Sequence, residues 1–230
     1  PFLDAQGRLY QYVAIQTDIS HIKATEATLR AQHDLQQVIS LSAADLMAAA
    51  PGDGSQAISR VLATSGAQLR ADRAYLYTYA RDGRRFSAGH VWCAPGIPAM
   101  SSDLRETVVD QLPWLTRQLS EEGMLQVRDA QQLDADDDGQ RELLQRCGVR
   151  SLLVLALQHK GQPIGFLAYS MQDQARTWNP AEVALLQVLR DVITSALLRS
   201  WSDAALRKSE SRLNFLVSSS PVSIHSREPQ

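Results

Sequence analysis

VRSLLVLALQHKGQPIGFLAYSM, Val149 to Met171, is the stretch whose reading decides the fold. Two apolar runs of strand length flank Gln158-His159-Lys160-Gly161-Gln162-Pro163, whose Lys-Gly and Gln-Pro pairs are turn chemistry, so the stretch predicts a β-hairpin. Both arms are nearly continuous in apolar residues rather than alternating. Such arms belong to a sheet covered on both faces, with helices above and below it. Directly after the hairpin, Asn179-Pro180-Ala181-Glu182 places an amide N-cap, a proline at the first helical position and a carboxylate at the third. A long helix therefore starts at Pro180 and runs without a breaker towards Ser211, about 45–50 Å at 1.5 Å per residue. Its apolar positions form two stripes. Val183, Leu186, Leu189, Ile193 and Leu197 suit the sheet; Leu185, Val188, Val192 and Ala196 suit a partner helix, and beyond Trp201 the pattern turns polar.

Upstream, Ala74 to Tyr79 and Arg85 to Trp92 flank Arg81-Asp82-Gly83-Arg84, a second hairpin whose Asp-Gly tip favours a two-residue type I′ connection. That register sets Tyr79 opposite Phe86, Tyr77 opposite Ala88 and Tyr75 opposite His90. Trp92 continues the same face, and Val91 and Cys93 take the other. Two helices precede this hairpin. The first covers Ile22 to Ala50 with Leu29, Val38, Leu41 and Leu46 on an imperfect stripe, and the second is capped by Ser55 and carries Ile58, Val61, Leu62 and Leu69. Between the hairpins, Asp103 caps a helix through Leu104, Val108 and Leu112. Pro113 restarts it around Trp114, Leu115 and Leu119 until Gly123 stops it. Met124 to Val127 is a short strand, and a helix from Gln140 leads to Cys147.

Arg150-Ser151 before an apolar strand, a glycine turn, Ile164-Gly165-Phe166-Leu167, and then Arg176-x-Trp178-x-x-x-Glu182 opening a long terminal helix together resemble the GAF family of sensory domains. The resemblance covers roughly residues 34–198. It implies an α+β fold, an antiparallel sheet of about six strands with helices on both faces and long N- and C-terminal helices. Residues 1–22 are similar to the closing strands of a PAS domain, 23–33 to a connecting helix, 199–215 to a signalling helix and 216–230 to the start of a further PAS domain. The expected setting is a PAS-GAF-PAS type of bacterial signalling protein, in two-component or cyclic di-GMP signalling.

Composition removes several function classes. The chain has 230 residues, 44% of them hydrophobic, and a formal charge of −2 from 23 basic and 25 acidic residues. A near-neutral balance without a basic cluster gives no electrostatic footprint for nucleic acid. No run reaches the apolar length of a membrane span, so neither nucleic-acid nor membrane contact is expected, and a cytoplasmic location is. Two cysteines, Cys93 and Cys147, fit reduced thiols better than a disulfide framework. GxxxxGK[ST], HExxH and GxSxG are all absent, and His33 lacks the downstream Arg and Pro of a phospho-accepting histidine.

Asp134-Ala135-Asp136-Asp137-Asp138-Gly139 matches the first half of an EF-hand loop, but Gln145 stands where the bidentate glutamate is required; an acidic, solvated loop is the stronger reading. His90 and Cys93 fall on opposite faces of one strand, so their spacing makes no chelating pair and no metal site is expected. By position in the GAF fold, the resemblance implies a small-molecule pocket lined by Tyr75, Tyr77, His90, Trp92, Trp114 and Val127 and by the segment from Cys147 to Ser151. An ordinary aromatic core has the same composition. Bilin-binding relatives attach chromophore through a cysteine followed by histidine, whereas Ala94 follows Cys93 and Gly148 follows Cys147. The Asn-Lys-Phe-Asp-Glu signature of cyclic-nucleotide-binding relatives is absent, and no cofactor is singled out.

The expected function is therefore a sensory or dimerisation module rather than an enzyme. It would homodimerise through its terminal helices and pass ligand occupancy to an output domain, a kinase or cyclic-dinucleotide enzyme, outside this chain. Leu185, Val192, Ala196 and Trp201 are the expected dimer and signalling positions. Two alternatives stand beside it: a thiol redox enzyme or sensor using Cys147 or Cys93, with Arg146 and Arg150 as neighbours of Cys147, and a ligand-free structural spacer.

Overall fold

The computed structural model describes residues 2–3, 5–11, 18–80, 82–98, 106–133 and 139–219. Contacts divide the chain into two compact units, Pro1–Asp34 and Leu35–Gln230. In the first, strands β1 (Phe2–Leu3) and β2 (Leu9–Gln11) pair antiparallel, and helix α1 (Ser20–Ala48), within which the unit boundary falls, begins with Asp18 Oδ1 accepting from Ser20 N at 2.8 Å. The acidic cluster at 134–138, Asp103 and Leu104, and residues 220–230 lie outside the described residues.

The second unit contains α2 (Gly54–Gln68), β3 (Arg73–Tyr79), β4 (Arg85–Cys93), β5 (Glu106–Val108), α3 (Pro113–Glu121), β6 (Met124–Val127), α4 (Gln140–Arg146), β7 (Ser151–His159), β8 (Gln162–Met171) and α5 (Pro180–Ser219). Six strands form one antiparallel sheet in the order β5-β4-β3-β8-β7-β6, which is the α+β architecture expected. The β7–β8 hairpin lies inside this sheet, as its continuous apolar runs require. His159 pairs with Gln162, and Lys160 and Gly161 both have positive φ (50° and 75°), the geometry of a type I′ turn. Gly165 is needed because a Cβ there would overlap the Tyr77 carbonyl oxygen of β3; the close approach is between neighbouring strands of the sheet's centre.

One face of the sheet, with Leu76, Leu153, Leu155, Leu167 and Tyr169, packs on α2, α5 and the C-terminal part of α1. The inner stripe of α5 is the one expected: Val183, Leu186, Leu189, Ile193 and Leu197 are all buried. The capping box at its start is complete, with Asn179 Oδ1 accepting from Ala181 N at 2.9 Å and Glu182 Oε2 from Asn179 N at 3.2 Å. Arg176 lies over the Trp178 ring, 4.2 Å from its centroid, donates to Glu182 Oε1 at 3.1 Å and also reaches Leu69 O beyond α2. The Arg-x-Trp-x-x-x-Glu pattern thus ties α5 to α2.

The opposite face, with Tyr75, Tyr77, Phe86, Val154, Phe166 and Ala168, packs on α3, α4 and the connections around them.

Several local expectations are corrected. In α1 the buried residues are Leu35, Ile39, Ser42 and Leu46, while Leu29 and Leu41 are exposed. The first stripe tracked hydrophobicity over a helix whose outer face is itself apolar in places. Ser55 lies inside α2, and Asp53 precedes the helix without a side-chain cap bond. Residues 106–108 are strand, not helix, because the β-branched Thr107-Val108 extends the sheet by pairing with Phe86 and Arg85 on the free edge of β4. Helix α5 continues to Ser219.

The β3–β4 hairpin keeps the expected pairing at Tyr79/Phe86 and Tyr77/Ala88. Its tip closes through Gly83 N to Ala80 O at 2.9 Å and Ala80 N to Arg85 O at 2.8 Å. Beyond Ala88 the register shifts: Leu76 pairs with His90, Tyr75 with Val91 and Ala74 with Trp92. Gly89 is the extra residue of a β-bulge, and every side chain beyond it changes face.

Candidate functional site

Between the Tyr75/Tyr77 face and helices α3 and α4 lies a cavity of about 100 Å³. Strands β3, β4 and β8 supply its aromatic floor because Tyr75, Tyr77, Phe86 and Phe166 point to one side of the pleat. Tyr77 stacks on Phe166 with centroids 4.7 Å apart and an 18° interplanar angle, and Phe86 meets the same ring edge-on at 5.1 Å and 76°. Trp114 and Leu115 from α3, and Leu144 and Cys147 from α4 and its C-cap, close the other side.

Of the residues the sequence nominated, Tyr75, Tyr77, Trp114 and, from the segment Cys147 to Ser151, Cys147 and Val149 line this cavity. Val127 belongs to the same apolar cluster but does not reach the cavity wall. His90, Trp92 and Ser151 are on the other face. The Gly89 bulge carries His90 Nδ1 to within 3.0 Å of Ser59 Oγ on α2 and sets Trp92 against Gly66 of the same helix. Val91 takes the place on the cavity face that had been expected of His90. Ser151 Oγ donates to Val127 O at 3.0 Å and is fully buried beside Leu153, a structural role. Phe86, Phe166, Leu152, Leu115 and Thr107 also line the cavity and were not nominated. The Ala88-Gly89 pair within a strand was the available signal for the bulge.

Polar groups in the wall are few. The Tyr75 hydroxyl is buried away from the cavity, with Ser170 Oγ on the neighbouring strand and the Arg73 guanidinium as its polar neighbours, and neither hydroxyl makes a hydrogen bond of normal geometry. Burial pushes the Tyr75 phenol pKa up, with the Arg73 guanidinium opposing, so the group stays protonated at neutral pH. Arg73 is itself buried, and donates from Nε to Pro98 O and from Nη1 to Cys147 O, each at 3.1 Å. Burial likewise pushes the Cys147 thiol up, with Arg146 and Arg73 opposing. That is the reverse of an activated thiolate. Among the described residues no group of three or more His, Cys, Asp or Glu could hold a metal, and no helix is long and apolar enough to cross a membrane.

The outward positions of α5 also differ from expectation. Ala196 is core, 5% exposed, because it packs where α5 meets α2 and α1; Leu185 and Val192 are half-buried against that same core. Trp201 is exposed, as are Val188 and Leu206.

Two solved structures share this fold. A phycocyanobilin-bound GAF domain from a cyanobacterial phytochrome is 18% identical, with a TM-score of 0.61 over 72% of this chain and 94% of that one. A phycoerythrobilin-bound GAF domain, also from a cyanobacterial phytochrome, is 17% identical, with a TM-score of 0.59 over 75% and 97%. No curated protein matches the chain. The GAF domain family model matches residues 53–197, which run from the start of α2 through all six strands to the end of the buried part of α5. With more than half of its length matched, the chain belongs to the GAF domain family.

Proposed function

We propose that this GAF domain is a sensory module that takes a small ligand in the Tyr75/Tyr77 cavity and passes occupancy through its terminal helices to an output domain outside this chain, a kinase or cyclic-dinucleotide enzyme. The observation that carries the reading is a cavity left inside an apolar face, with a buried hydroxyl, that of Tyr75, left without a well-formed hydrogen bond beside it. Interiors normally close such voids and pair such groups, since each lowers stability. A spacer without a ligand has no use for either. The thiol alternative is disfavoured by the raised pKa of Cys147. Bilins, bound by both structural relatives, are not the ligand favoured here. A cavity of about 100 Å³ lies well below the roughly 300–1,000 Å³ of drug-sized sites, and neither cysteine is followed by histidine.

For the relay, two copies would pack through the outer faces of the helices, using Leu41 and Met47 of α1 and Val188 and Trp201 of α5, which are all exposed. Leu185 and Val192 would support that stripe from behind. Helix α5, 40 residues and roughly 60 Å long, extends well past the last core contact at Leu197 and suits transmission along its axis. Sedimentation of the Val188→Glu/Trp201→Glu double variant tests it: a folded monomer is expected. A double variant that stays dimeric refutes the relay.

A further inference from the structure

We infer that the outer edge of β6 is a docking site for an extended peptide, which joins the six-stranded sheet there as a further strand. The phase of the ladder shows which backbone groups are open. Ala156 N donates to Gly123 O at 2.9 Å, and the register runs without a shift from Met124/Leu155 to Val127/Leu152. Gly123, Leu125 and Val127 therefore turn their N–H and C=O groups to β7, and Met124 and Gln126 turn theirs outward. The next outward carbonyl, that of Arg128, accepts from Arg176 N at 3.0 Å. Those of Met124 and Gln126 meet no described residue, and β6 ends the strand order. Edge strands are ordinarily blunted by proline, lysine or a bulge, and this one carries none of them.

A groove of about 300 Å³ follows this edge and shares no residue with the Tyr75 cavity. All four residues of β6 line it although their side chains alternate between the faces of the sheet, so what they share is the outer side of the strand. Gln118 and Glu122 from α3, with Leu133 and Gln140 at the approach to α4, complete its walls. Gln140 points to a ligand independently of the strand. It is 7% exposed, yet its side-chain amide makes no hydrogen bond with a described residue. An amide so buried is normally paired, and beside a strand edge it can donate to and accept from the main chain of an added strand. Leu125 and Leu133, both half-buried against the cavity-face cluster, give a peptide side chain apolar surface to cover. Main-chain pairing with alternate side chains in pockets is how strand addition binds. A second copy fits less well. Paired antiparallel through β6, it would bring its own α3 onto the same face, and two sets of walls would compete for one groove.

Calorimetry and amide hydrogen exchange on the full chain with the strand-forming peptide acetyl-Lys-Thr-Val-Thr-Val-Thr-Lys-amide test this. Saturable binding is expected, and exchange at the Met124 and Gln126 amides should slow about tenfold or more under saturating peptide. N-methylating the peptide's valines and its threonines in turn should abolish binding in one case and spare it in the other, because only alternate residues face β6. Gln126→Pro removes an outward donor that the β6–β7 ladder does not use and should weaken binding about tenfold, the ratio one hydrogen bond supplies. Gln140→Leu leaves β6 untouched and should weaken it by a similar factor. The inference is overturned by binding that leaves both amides unprotected, by equal tolerance of the two methylated peptides, by full affinity in both variants, or by no binding at millimolar peptide. Self-association of the free chain that Gln126→Pro abolishes overturns it as well, and makes the edge an interface between copies.

Discussion

Tyrosine to phenylalanine at two positions of the same sheet should change stability in opposite directions. Tyr75 faces the α3 side and Tyr169 faces the α2 side; both are buried, and the same oxygen is removed from each. The Tyr169 hydroxyl lies 2.9 Å from Ser65 Oγ, which itself donates to Val61 O at 2.7 Å, so Tyr169 donates and Ser65 accepts. Tyr169→Phe loses that bond and leaves a buried acceptor, a cost of about 1–1.5 kcal/mol. The Tyr75 hydroxyl has no partner to lose. Its removal relieves a buried polar group whose desolvation costs about 1–3 kcal/mol, and because it borders a cavity we take the lower end, about 1 kcal/mol. For a domain of this size about 1 kcal/mol moves Tm by roughly 2–4 °C, so Tyr75→Phe should melt a few degrees above wild type and Tyr169→Phe a few degrees below. Urea titration with an unchanged m-value confirms that stability, and not the surface exposed on unfolding, is what changed. If Tyr75→Phe is destabilised as much as Tyr169→Phe, the hydroxyl is satisfied in solution by a neighbour such as Ser170 and is not an unpaired buried group.

Two further outcomes follow from the other face of the sheet. Gly66→Ala places a Cβ inside the ring of Trp92, so helix α2 or the end of β4 must shift; a loss of about 1–3 kcal/mol is expected from overpacking, and a Tm within a degree of wild type would contradict the packing described. Burial lowers the pKa of His90, so the folded protein favours the neutral ring. The stability tied to that ring is complete above the unfolded value of about 6.5 and is lost as pH falls through the lower folded value. His90→Gln should flatten the stability profile in that window; identical slopes for both proteins would show that His90 does not titrate as described.

Most of the architecture was legible because it is written in periodicity and punctuation. The continuous apolar arms of β7 and β8, the Lys160-Gly161 turn and the Asn179-Pro180-Ala181-Glu182 cap each specify their local geometry with little outside help, and each formed as expected. Residues 106–108 were misread for a tertiary reason. A helical pattern of Leu104, Val108 and Leu112 competed with a free strand edge on β4, which no local reading can see, and edge pairing won. Likewise, both stripes of α5 were visible, but which of their members is core depends on how α1 and α2 converge beside Ala196.

The site was half legible, and one residue accounts for most of the difference. Alternation along a strand carries face assignment only while the ladder is unbroken, so Tyr75 and Tyr77 were placed correctly and His90 and Trp92, both beyond Gly89, were reversed. The bulge has a consequence for chemistry as well as bookkeeping of faces. Without it, a titratable imidazole and an indole would lie on the cavity's face of the sheet. With it, His90 is held by Ser59 and Trp92 by α2, and Val91 takes up the position opposite Tyr75. The inserted glycine therefore does more than bend β4: it keeps His90 and Trp92 off the cavity face and leaves Phe86 as that strand's share of the wall.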